Sequence, residues 1–568
     1  MASVDSSREL VCANNAVDNP ECTRVGKFSC TYCLLVLYCG PACQKSHWKR
    51  HRAECRDNPL LKANWRPQWE AQKDYVPRFI GGEHVQPFNH RMKFLWGNMP
   101  AFDLLKLASN EGVEYNKKLD LLFAASGDIR NVALSVVSIP DSFKSPVHIC
   151  MNDRDMDVVG RNVIMLLLAL TEDDAAVAAD NILHLWYSSF ITQPLHDTLR
   201  GKILPLVQAV CAKINNRDSE APLGKTWTFG RLSLRLVLLK KSWFELRASL
   251  EVPAGLTLEG AQKIRQSVTI APERVDYRER VYFGLSPGHR SGAQKFRESG
   301  VLLSFGAPRD LYTIPNPTIF RDTTIWPMKD DADPISGWDI AEVMKVRYGP
   351  ATNDIYGKIC SFIRDVLLRF HQRLKNLDLS FELFNVDARD LSNYTGSRLF
   401  DRIEVSNISD KGYLGTAQTL YYIGRLLKHP SENPHATLVT LFLNAVDEIF
   451  DDDEKRKVLV SEMREVCKYI TPSTPRAKYD ANLILCDFAL PQIRDVDKYF
   501  DRYMKTSNFD SICQLSGMSF KKKHTIIDPW PLRLKKKHYQ KGAKEDFFNL
   551  LASTHSGCER YMEWTFNV

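Results

Sequence analysis

Short apolar runs followed by glycine or polar residues recur along the chain from about residue 119 onward. The run LDLLFAA (119–125) ends at Ser126 and Gly127, which predicts a buried strand. IRNVALSVVSI after it has apolar residues at helical spacing, and PVHICMND is a second apolar run that ends in Asn152 and Asp153. Strand, glycine turn, helix and strand in this order are typical of a nucleotide-binding βαβ unit.

Later segments continue this alternation and predict an α/β domain. Strands are predicted in LSFELFNVDARDL (379–391), LFDRIEVSN (399–407) and ATLVTLFLNAV (436–446), and a helix in QTLYYIGRLLK. More than 200 residues separate the second and third strands, including RLSLRLVLLKKSWFELRASLE (231–251), which we predict to be helical. A connection of this length must be a subdomain. We therefore expect an α/β domain over 88–450, a mostly helical insertion at about 190–375, and a helical extension with a basic segment over 451–568.

Polar residues follow the predicted strands and give a candidate cofactor site. Parallel α/β sheets bind ligands at the carboxyl ends of their strands, so these residues are predicted to converge on one crevice: Gly127, Asp128, Asn152, Asp153 and Asp387. In a Rossmann-like methyltransferase they would surround S-adenosylmethionine. The alternative is purely structural, because AASGDIRN has a single glycine where a cofactor loop has two or three, and because Asn152 and Asp387 can cap helices.

The overall composition indicates a folded globular protein. Of the 568 residues, 44% are hydrophobic and 25% charged. MASVDSSREL lacks the features of a secretory signal, and no run reaches the roughly 18 apolar residues of a membrane span, so we expect no export by that route and no membrane crossing. Seven cysteines scattered after residue 56 indicate reduced thiols. A cytoplasmic or nuclear location is predicted.

The formal net charge of +8 is concentrated near the C-terminus. Residues 519–544 contain nine Lys and Arg and one acid, Asp528, which gives +8, so the rest of the chain is neutral overall. Such a segment is typical of an exposed surface, and the alternative is a nuclear-targeting or acidic-partner patch. If it bound nucleic acid, the affinity would fall steeply with salt.

Seven cysteines and one histidine before residue 56 form four pairs of candidate metal ligands, and eight soft ligands suit two tetrahedral zinc ions. The pairs are Cys12 and Cys22, Cys30 and Cys33, Cys39 and Cys43, and His51 and Cys55. A helix is predicted from about Pro41 to Cys55, which would separate Cys43 from His51 by roughly 12 Å. One ion cannot bind both helical pairs, so each site must combine an upstream pair with one helical pair.

The run from Cys30 through Gln44, Trp48, His51 and Cys55 closely resembles a MYND zinc finger. The resemblance implies one zinc held by Cys12, Cys22, Cys39 and Cys43 and another held by Cys30, Cys33, His51 and Cys55. It also implies binding of short, often proline-containing peptides of partner proteins. The first pair departs from the family pattern, because nine residues separate Cys12 from Cys22 where two are usual. We assign the finger to residues 8–56 and a linker to 57–87.

A second resemblance covers roughly residues 88–450. LLFAASGDIRNVALSV, followed by ICMNDRDMDVVGRNVIMLLLAL, is similar to a domain of unknown function shared by fungal MYND proteins and an axonemal dynein-assembly-factor family. The resemblance implies a protein of the fungal type, a methyltransferase-like core with a long helical insertion, and a role in assembly or scaffolding, without a known reaction. Where those relatives read GCGD or GSGD, this chain has Ala125 to Asp128.

Three functions follow from these observations. The first is a zinc-binding adaptor or assembly scaffold that binds other proteins through the finger. The second is a Rossmann-type methyltransferase that uses S-adenosylmethionine and recruits its substrate with the finger. The third, and least favoured, is a nucleic-acid-associated regulator. Hydrolase chemistry is excluded because Pro287 in GLSPG has no N–H for an oxyanion hole, and the NHSC and GEEL signatures of SET methyltransferases are absent.

Overall fold

The computed structural model of the chain describes residues 10–15, 22–72, 74–80, 92–471, 475 and 477–567. The strands are β1 Phe28–Ser29, β2 Leu37–Tyr38, β3 Leu119–Phe123, β4 Val147–Asn152, β5 Phe190–Thr192, β6 Pro222–Phe229, β7 Leu232–Leu239, β8 Tyr312–Pro315, β9 Leu379–Phe384, β10 Arg402–Glu404, β11 Thr437–Phe442, β12 Met518–Phe520 and β13 Arg560–Phe566.

The helices surround these strands and make up most of the regular structure. They are α1 Pro41–Glu54, α2 Arg130–Val137, α3 Met156–Thr171, α4 Ala175–Tyr187, α5 Gln193–Thr198, α6 Leu204–Ile214, α7 Lys240–Ala248, α8 Leu258–Thr269, α9 Val275–Gly284, α10 Pro287–Ser299, α11 Ile340–Met344, α12 Ile355–Asn376, α13 Ser392–Thr395, α14 Thr416–Tyr422, α15 Asp452–Val466, α16 Ala481–Ile493, α17 Val496–Thr506, α18 Phe509–Ser516 and α19 Ala543–Ala552. Within the described residues, no helix is both long and apolar enough to span a bilayer.

One large mixed sheet forms the centre of the protein. Among the described residues its strand order is β12-β13-β11-β10-β3-β4-β9-β7-β6. The strands from β11 to β7 in this order are all parallel, whereas β13 and β6 run antiparallel to their neighbours. From β3, the strands β4 and β9 are added on one side of the sheet, and the later strands β10 and β11 are added on the other side. The direction in which strands are added therefore reverses between β3 and β10. In open parallel sheets such a reversal leaves a crevice at the carboxyl ends of the strands.

The sheet is buried on both faces over most of its width. In β3, Leu121 and Phe123 belong to a large apolar core on one face, and Leu122 belongs to a second core on the other. The first core includes residues of α2, α3, α4 and α12, and the second includes residues of α14, α17 and α18. Parallel strands buried on both faces read as continuous hydrophobic runs, which explains why these strands were recognisable in the sequence.

The principal predicted strands and helices are confirmed, with shorter bounds. The strands predicted at 119–125, 379–391, 399–407 and 436–446 are β3, β9, β10 and β11, and the predicted strand PVHICMND is β4. The predicted helices IRNVALSVVSI and QTLYYIGRLLK are α2 and α14. The chain therefore has a mixed α/β domain with many helices.

Two predictions of helix are corrected. The first half of the segment 231–251 is strand β7, and only its second half is helical. Leu234, Leu236 and Leu238 pack into the first core, whereas Arg235 is exposed and Val237 belongs to the second core. The side chains therefore alternate between the two faces with period two, which the helix-forming composition of the segment obscures. Likewise, residues 451–568 are not only helical, because β12 and β13 join the central sheet beside β11. The boundaries of the predicted domains remain predictions.

The predicted linker is packed against the rest of the protein where the structure describes it. Trp69 is buried, and its indole N–H donates to the carbonyl of Tyr479 at 3.1 Å. The Arg66 guanidinium pairs with Asp480 at 3.2 Å, and the Tyr75 hydroxyl donates to Asp276 at 2.7 Å. Residues 57–72 and 74–80 therefore fasten the chain to helices α9 and α16, whereas residues 81–87 of the predicted linker lie outside the described residues.

Candidate metal centre

Two small elements position the predicted zinc ligands. The antiparallel strands β1 and β2 form a hairpin that contains Cys30 and Cys33, and helix α1 begins at Pro41 and ends at Glu54, as predicted. Helix α1 presents Cys43 and His51 on its buried side, and Cys55 is its C-cap. The two upstream pairs, Cys12 with Cys22 and Cys30 with Cys33, thus lie within reach of the pairs at the two ends of α1, Cys39 with Cys43 and His51 with Cys55.

The first tetrad consists of Cys12, Cys22, Cys39 and Cys43, whose sulfur atoms all lie within 4.8 Å of one another. The sulfur of Cys22 is 3.3 Å from that of Cys39 and 3.6 Å from that of Cys43, and the sulfurs of Cys39 and Cys43 are 3.4 Å apart. Cys39 is half-buried and the other three are buried. The unusual spacing of the first pair does not prevent Cys12 from joining this group.

The second tetrad consists of Cys30, Cys33, His51 and Cys55, all of them buried. The sulfurs of Cys30 and Cys55 are 3.8 Å apart, and Nε2 of His51 is 3.5 Å from the sulfur of Cys33. The backbone N–H of Leu35 donates to the Cys33 sulfur at 3.4 Å. Leu34 adopts a positive φ of 54°, which turns the chain so that this N–H faces the sulfur.

The distances in the second tetrad match those of tetrahedral zinc, and the sulfurs of the first tetrad lie somewhat closer together. With Zn–S bonds of about 2.3 Å and Zn–N bonds of about 2.0 Å, the edges of a tetrahedron are about 3.8 Å between sulfurs and about 3.5 Å between sulfur and nitrogen. Each tetrad supplies four soft ligands, so neither leaves a coordination position for a substrate. The donor set and its geometry therefore support structural zinc.

Each tetrad also contains a sulfur that is predisposed to carry negative charge. Burial opposes ionisation of Cys22, but hydrogen bonds with Cys39 and Arg24 lower its pKa to about 6. A hydrogen bond with Cys33 lowers the pKa of Cys30 to about 3. The same two hydrogen bonds raise the pKa of the partner thiols, Cys39 and Cys33, so each pair keeps one sulfur that ionises readily beside one that does not. Thiolates are the form in which cysteine binds metal.

His47 belongs to neither tetrad, and its side chain is buried. Its Nδ1 lies 3.0 Å from the Tyr38 hydroxyl, and its ring stacks on that of His51 with the ring centroids 5.7 Å apart. Burial lowers the pKa of His47 to about 4, so the ring is neutral near pH 7. His47 therefore supports the ring of His51 from behind.

The finger is docked onto the α/β domain. The Asn353 side chain donates to the carbonyl of Cys33 at 3.0 Å, and its backbone N–H donates to that of Leu34 at 3.1 Å. Glu54 pairs with Lys295 at 2.8 Å. Phe305 belongs to the same apolar cluster as the finger cysteines.

The residues predicted to bind a cofactor lie at the carboxyl ends of their strands, but they bond to one another and to the backbone. The N–H of Gly127 donates to Asp153 at 3.1 Å, and burial raises the pKa of Asp153 to about 6. The Asn152 amide donates to the carbonyls of Ala124 and Val386 at 3.0 and 3.1 Å, so it joins two strand ends and caps no helix. The structure thus brings Gly127, Asn152 and Asp153 together.

The other two predicted residues have structural partners of their own. The Asp128 carboxylate accepts from the Arg130 side chain at 2.7 Å and from the N–H of Gly97 at 2.8 Å, and both charged residues are buried. Asp387 caps a short 3-10 helix by accepting from the N–H of Arg389 at 2.9 Å, as the alternative reading of the sequence predicted. This arrangement does not show a binding site for S-adenosylmethionine.

Two features near this edge were missed in the sequence. A groove of about 590 Å³ lies beside Asp387, lined also by Arg235, Val237, Phe384 and Tyr394 among others. The period-two pattern of β7, which places Arg235 on the face opposite Leu234, was the signal for it. The second feature is Glu404 at the end of β10, where burial raises the pKa of the carboxyl to about 8.

Comparison with known proteins agrees with the coarse features of this description. Residues 19–55 match the MYND finger family, and residues 95–191 match a family described as a domain of unknown function, DUF4470. Histone-lysine N-methyltransferase ASHR1 of Arabidopsis thaliana is 27% identical over 144 residues, which are 24% of this chain and 28% of that protein. No solved structure matches. The chain therefore contains a MYND zinc finger and a DUF4470 domain, whereas the fungal type and the resemblance to dynein-assembly factors remain predictions.

Proposed function

We propose that the protein is a zinc-stabilised adaptor, in which the MYND finger binds a short segment of a partner protein and the α/β domain is the scaffold. The observation that carries this proposal is the pair of complete tetrads, because four protein ligands for each ion leave the metal a structural role only. MYND fingers generally mediate protein interactions, and residues 19–55 match that family. We place this activity in the cytoplasm or nucleus, since the thiols of the tetrads must stay reduced.

We further propose the ligand assignment that the geometry supports. Cys12, Cys22, Cys39 and Cys43 would hold one zinc, and Cys30, Cys33, His51 and Cys55 the other. Structural zinc contributes on the order of 10 to 16 kcal/mol to the folding of such a module when bound. The residues themselves fix the hairpin to helix α1 and so determine which side chains the finger presents.

The hairpin region offers an apolar contact surface for the partner. Phe28 in β1 and Tyr32 in the turn between Cys30 and Cys33 are 57% and 51% exposed, although large rings are normally buried. Aromatic side chains of this kind are the usual binding surface for proline-containing peptides. We propose that these two rings contact the partner segment.

A binding assay on the zinc-loaded full chain tests this proposal. An array of short proline-containing peptides should retain the wild type, and the double substitution Phe28→Ala and Tyr32→Ala should abolish that retention. Tyr539→Ala is the matched control, because Tyr539 is 71% exposed and lies far along the chain from the finger. If no peptide is retained, or if the control loses the same peptides as the double variant, the adaptor proposal is wrong.

A methyltransferase activity is the second candidate, and one observation favours it. When β7 is left aside, the parallel strands β3, β4, β9, β10 and β11, numbered in chain order, are arranged in space as 3-2-1-4-5, the order of a Rossmann-type fold, which we propose for this domain. Strand β7 precedes β9 in the chain and extends the sheet on the far side of β9. Asp128 and Asn152 are engaged in hydrogen bonds within the protein, with Arg130 and with the carbonyl of Ala124, and this argues against an open cofactor site. Titration calorimetry with S-adenosylmethionine decides the matter, since micromolar binding that Asp153→Ala removes would establish the second candidate.

A further inference from the structure

Helix α1 carries a row of positive charge on the side opposite its metal-binding face. Lys45, Lys49 and Arg52 follow one another at spacings of four and three residues, which places them on one face of the helix. All three are exposed, whereas Cys43 and His51 on the other side are buried. Arg50 and Arg56 are exposed beside this row. We call these five side chains the basic face of α1.

The basic face does not stabilise the helix that carries it. Like charges at a spacing of four residues, such as Lys45 and Lys49, destabilise a helix by roughly 0.2 to 0.5 kcal/mol per pair. The first turn of α1 contains no acidic residue, and Gly40 provides no side-chain cap. Only cations in the last turn, such as Arg52, interact favourably with the helix dipole. The charges at Lys45 and Lys49 therefore need another explanation.

Little in the rest of the protein neutralises this face. Arg52 pairs with Asp57 at 3.3 Å, but both side chains are more than half exposed, so the pair contributes little. In the part of the chain that the structure describes, Lys45, Lys49 and Arg50 form no ion pair with a carboxylate. The carboxylate of the helix itself, Glu54, is directed away to Lys295 of the α/β domain. The result is an exposed row of positive charge.

An aromatic ring adjoins the row. Trp48 is half-buried, and the guanidinium of Arg56 lies over its ring at 5.5 Å from the centroid. Such a cation–π pair holds Arg56 in place next to the lysines. A peptide that lies along the helix would therefore meet both positive charge and a flat apolar surface.

We infer that the basic face of α1 binds an acidic segment of a partner protein, with carboxylates against Lys45 and Lys49. This inference deepens the proposed adaptor function and rests on it, since it names the chemistry of one class of partner. Carboxylates placed at contact distance form charge-assisted hydrogen bonds with lysine. Binding would also relieve the repulsion among the like charges of the helix.

An acidic peptide fits the finger better than nucleic acid does. Bound zinc would give the four-cysteine tetrad a charge of −2 and the tetrad of three cysteines and a histidine a charge of −1. Both tetrads include a residue from the buried side of α1, Cys43 in the first and His51 in the second. At physiological salt the screening length is about 8 Å, so most phosphates of a long backbone would lie out of range of the five cations of the basic face and would add little affinity. Short peptide carboxylates instead contact the lysines directly, where the local positive charge dominates.

Fluorescence anisotropy with labelled oligoglutamate tests the inference on the zinc-loaded full chain. We expect oligoglutamate to bind, oligoglutamine of equal length not to bind, and the double substitution Lys45→Glu and Lys49→Glu to weaken binding about tenfold or more. Lys537→Glu with Lys541→Glu is the matched control, because both lysines are exposed in the other basic segment of the chain. Circular dichroism and zinc content establish that each variant is folded.

The possible outcomes separate the two proposals. Equal binding of oligoglutamate by the wild type and the Lys45→Glu, Lys49→Glu variant, or no binding at all, overturns the inference. Tighter binding of a DNA duplex that the same variant loses also overturns it and identifies a nucleic-acid surface. Neither result affects the adaptor proposal, which fails only if the proline-containing peptides are not bound through Phe28 and Tyr32.

Discussion

The side chain of Asn353 donates a hydrogen bond to the carbonyl of Cys33 at 3.0 Å, across 320 positions of the chain. Cys33 is a ligand candidate of the second tetrad, and Asn353 lies immediately before the Asp354 cap of α12. The α/β domain therefore contacts the backbone of the segment that contains the candidate ligands Cys30 and Cys33. Metal binding in the finger and the stability of the domain should be linked through this contact.

Metal content depends on which tetrad is changed. Cys55→Ser should release the zinc of the second tetrad, and Cys43→Ser that of the first, because each substitution removes one of four ligands. Elemental analysis of the purified chain should give two zinc ions per molecule for the wild type and fewer for these variants. Cys513→Ser is the control, since Cys513 belongs to neither tetrad, and loss of zinc from this variant would contradict the assignment.

Gly306 lies where the domain contacts the finger. A Cβ added at Gly306 would be 2.9 Å from the Cβ of Ala13 and 3.1 Å from Cγ1 of Val36. Gly306→Ala should therefore destabilise the docked finger by about 1 to 3 kcal/mol, as overpacking does. Gly412→Ala is the control, because nothing lies within 4 Å of an added Cβ there. Urea unfolding measures both, and equal stabilities would show that the contact is not tight.

Asp128 and Asp387, both predicted to bind a cofactor, should differ in their effect on stability. Asp128→Ala would leave the buried guanidinium of Arg130 without its carboxylate, a loss of about 3 to 5 kcal/mol. Asp387→Ala removes a partly exposed ion pair with Arg389 and a cap, a loss of about 1 kcal/mol. Denaturant unfolding of the two variants measures the difference. Similar small losses would contradict the structural role of Asp128.

Glu404 should make the stability of the protein depend on pH. Its pKa is raised to about 8 in the folded chain, against about 4.3 when unfolded, so the folded state holds a proton that the unfolded state releases. The contribution of Glu404 is therefore most favourable below about pH 4 and is lost as the pH rises toward 8. Glu404→Gln should remove this loss and be more stable than the wild type at pH 8.

The difference in unfolding free energy between Glu404→Gln and the wild type, measured from pH 5 to pH 8, checks this sign. The difference should grow in favour of the variant as the pH rises. Glu432→Gln, at an exposed position, should show no such trend. A difference that stays constant with pH would mean that Glu404 is ionised at little cost in the folded protein.

Local sequence determined the finger and the centre of the sheet. The ligand pairs and helix α1 lie within residues 12–55, so their spacing required two interleaved groups, and the resemblance to a MYND finger implied which pairs belong together. Strands such as β3 and β4 could be predicted from the sequence because burial on both faces requires continuous apolar runs. Helix α2 could be predicted because its apolar residues repeat at helical spacing.

Only the tertiary structure decided how distant segments join these elements. Residues 232–239 form strand β7 because they pair with β6 and β9, and this pairing overrides the helix-forming composition of the segment. Strand β13 pairs with β11, although more than a hundred residues separate the two strands in the chain. The docking of Asn353 onto Cys33 and the burial of Asp128 with Arg130 likewise depend on partners far along the chain. Contacts between distant segments leave no signal in the local sequence pattern. Candidate metal ligands that are close in sequence do, because their spacing limits the geometry that they can adopt.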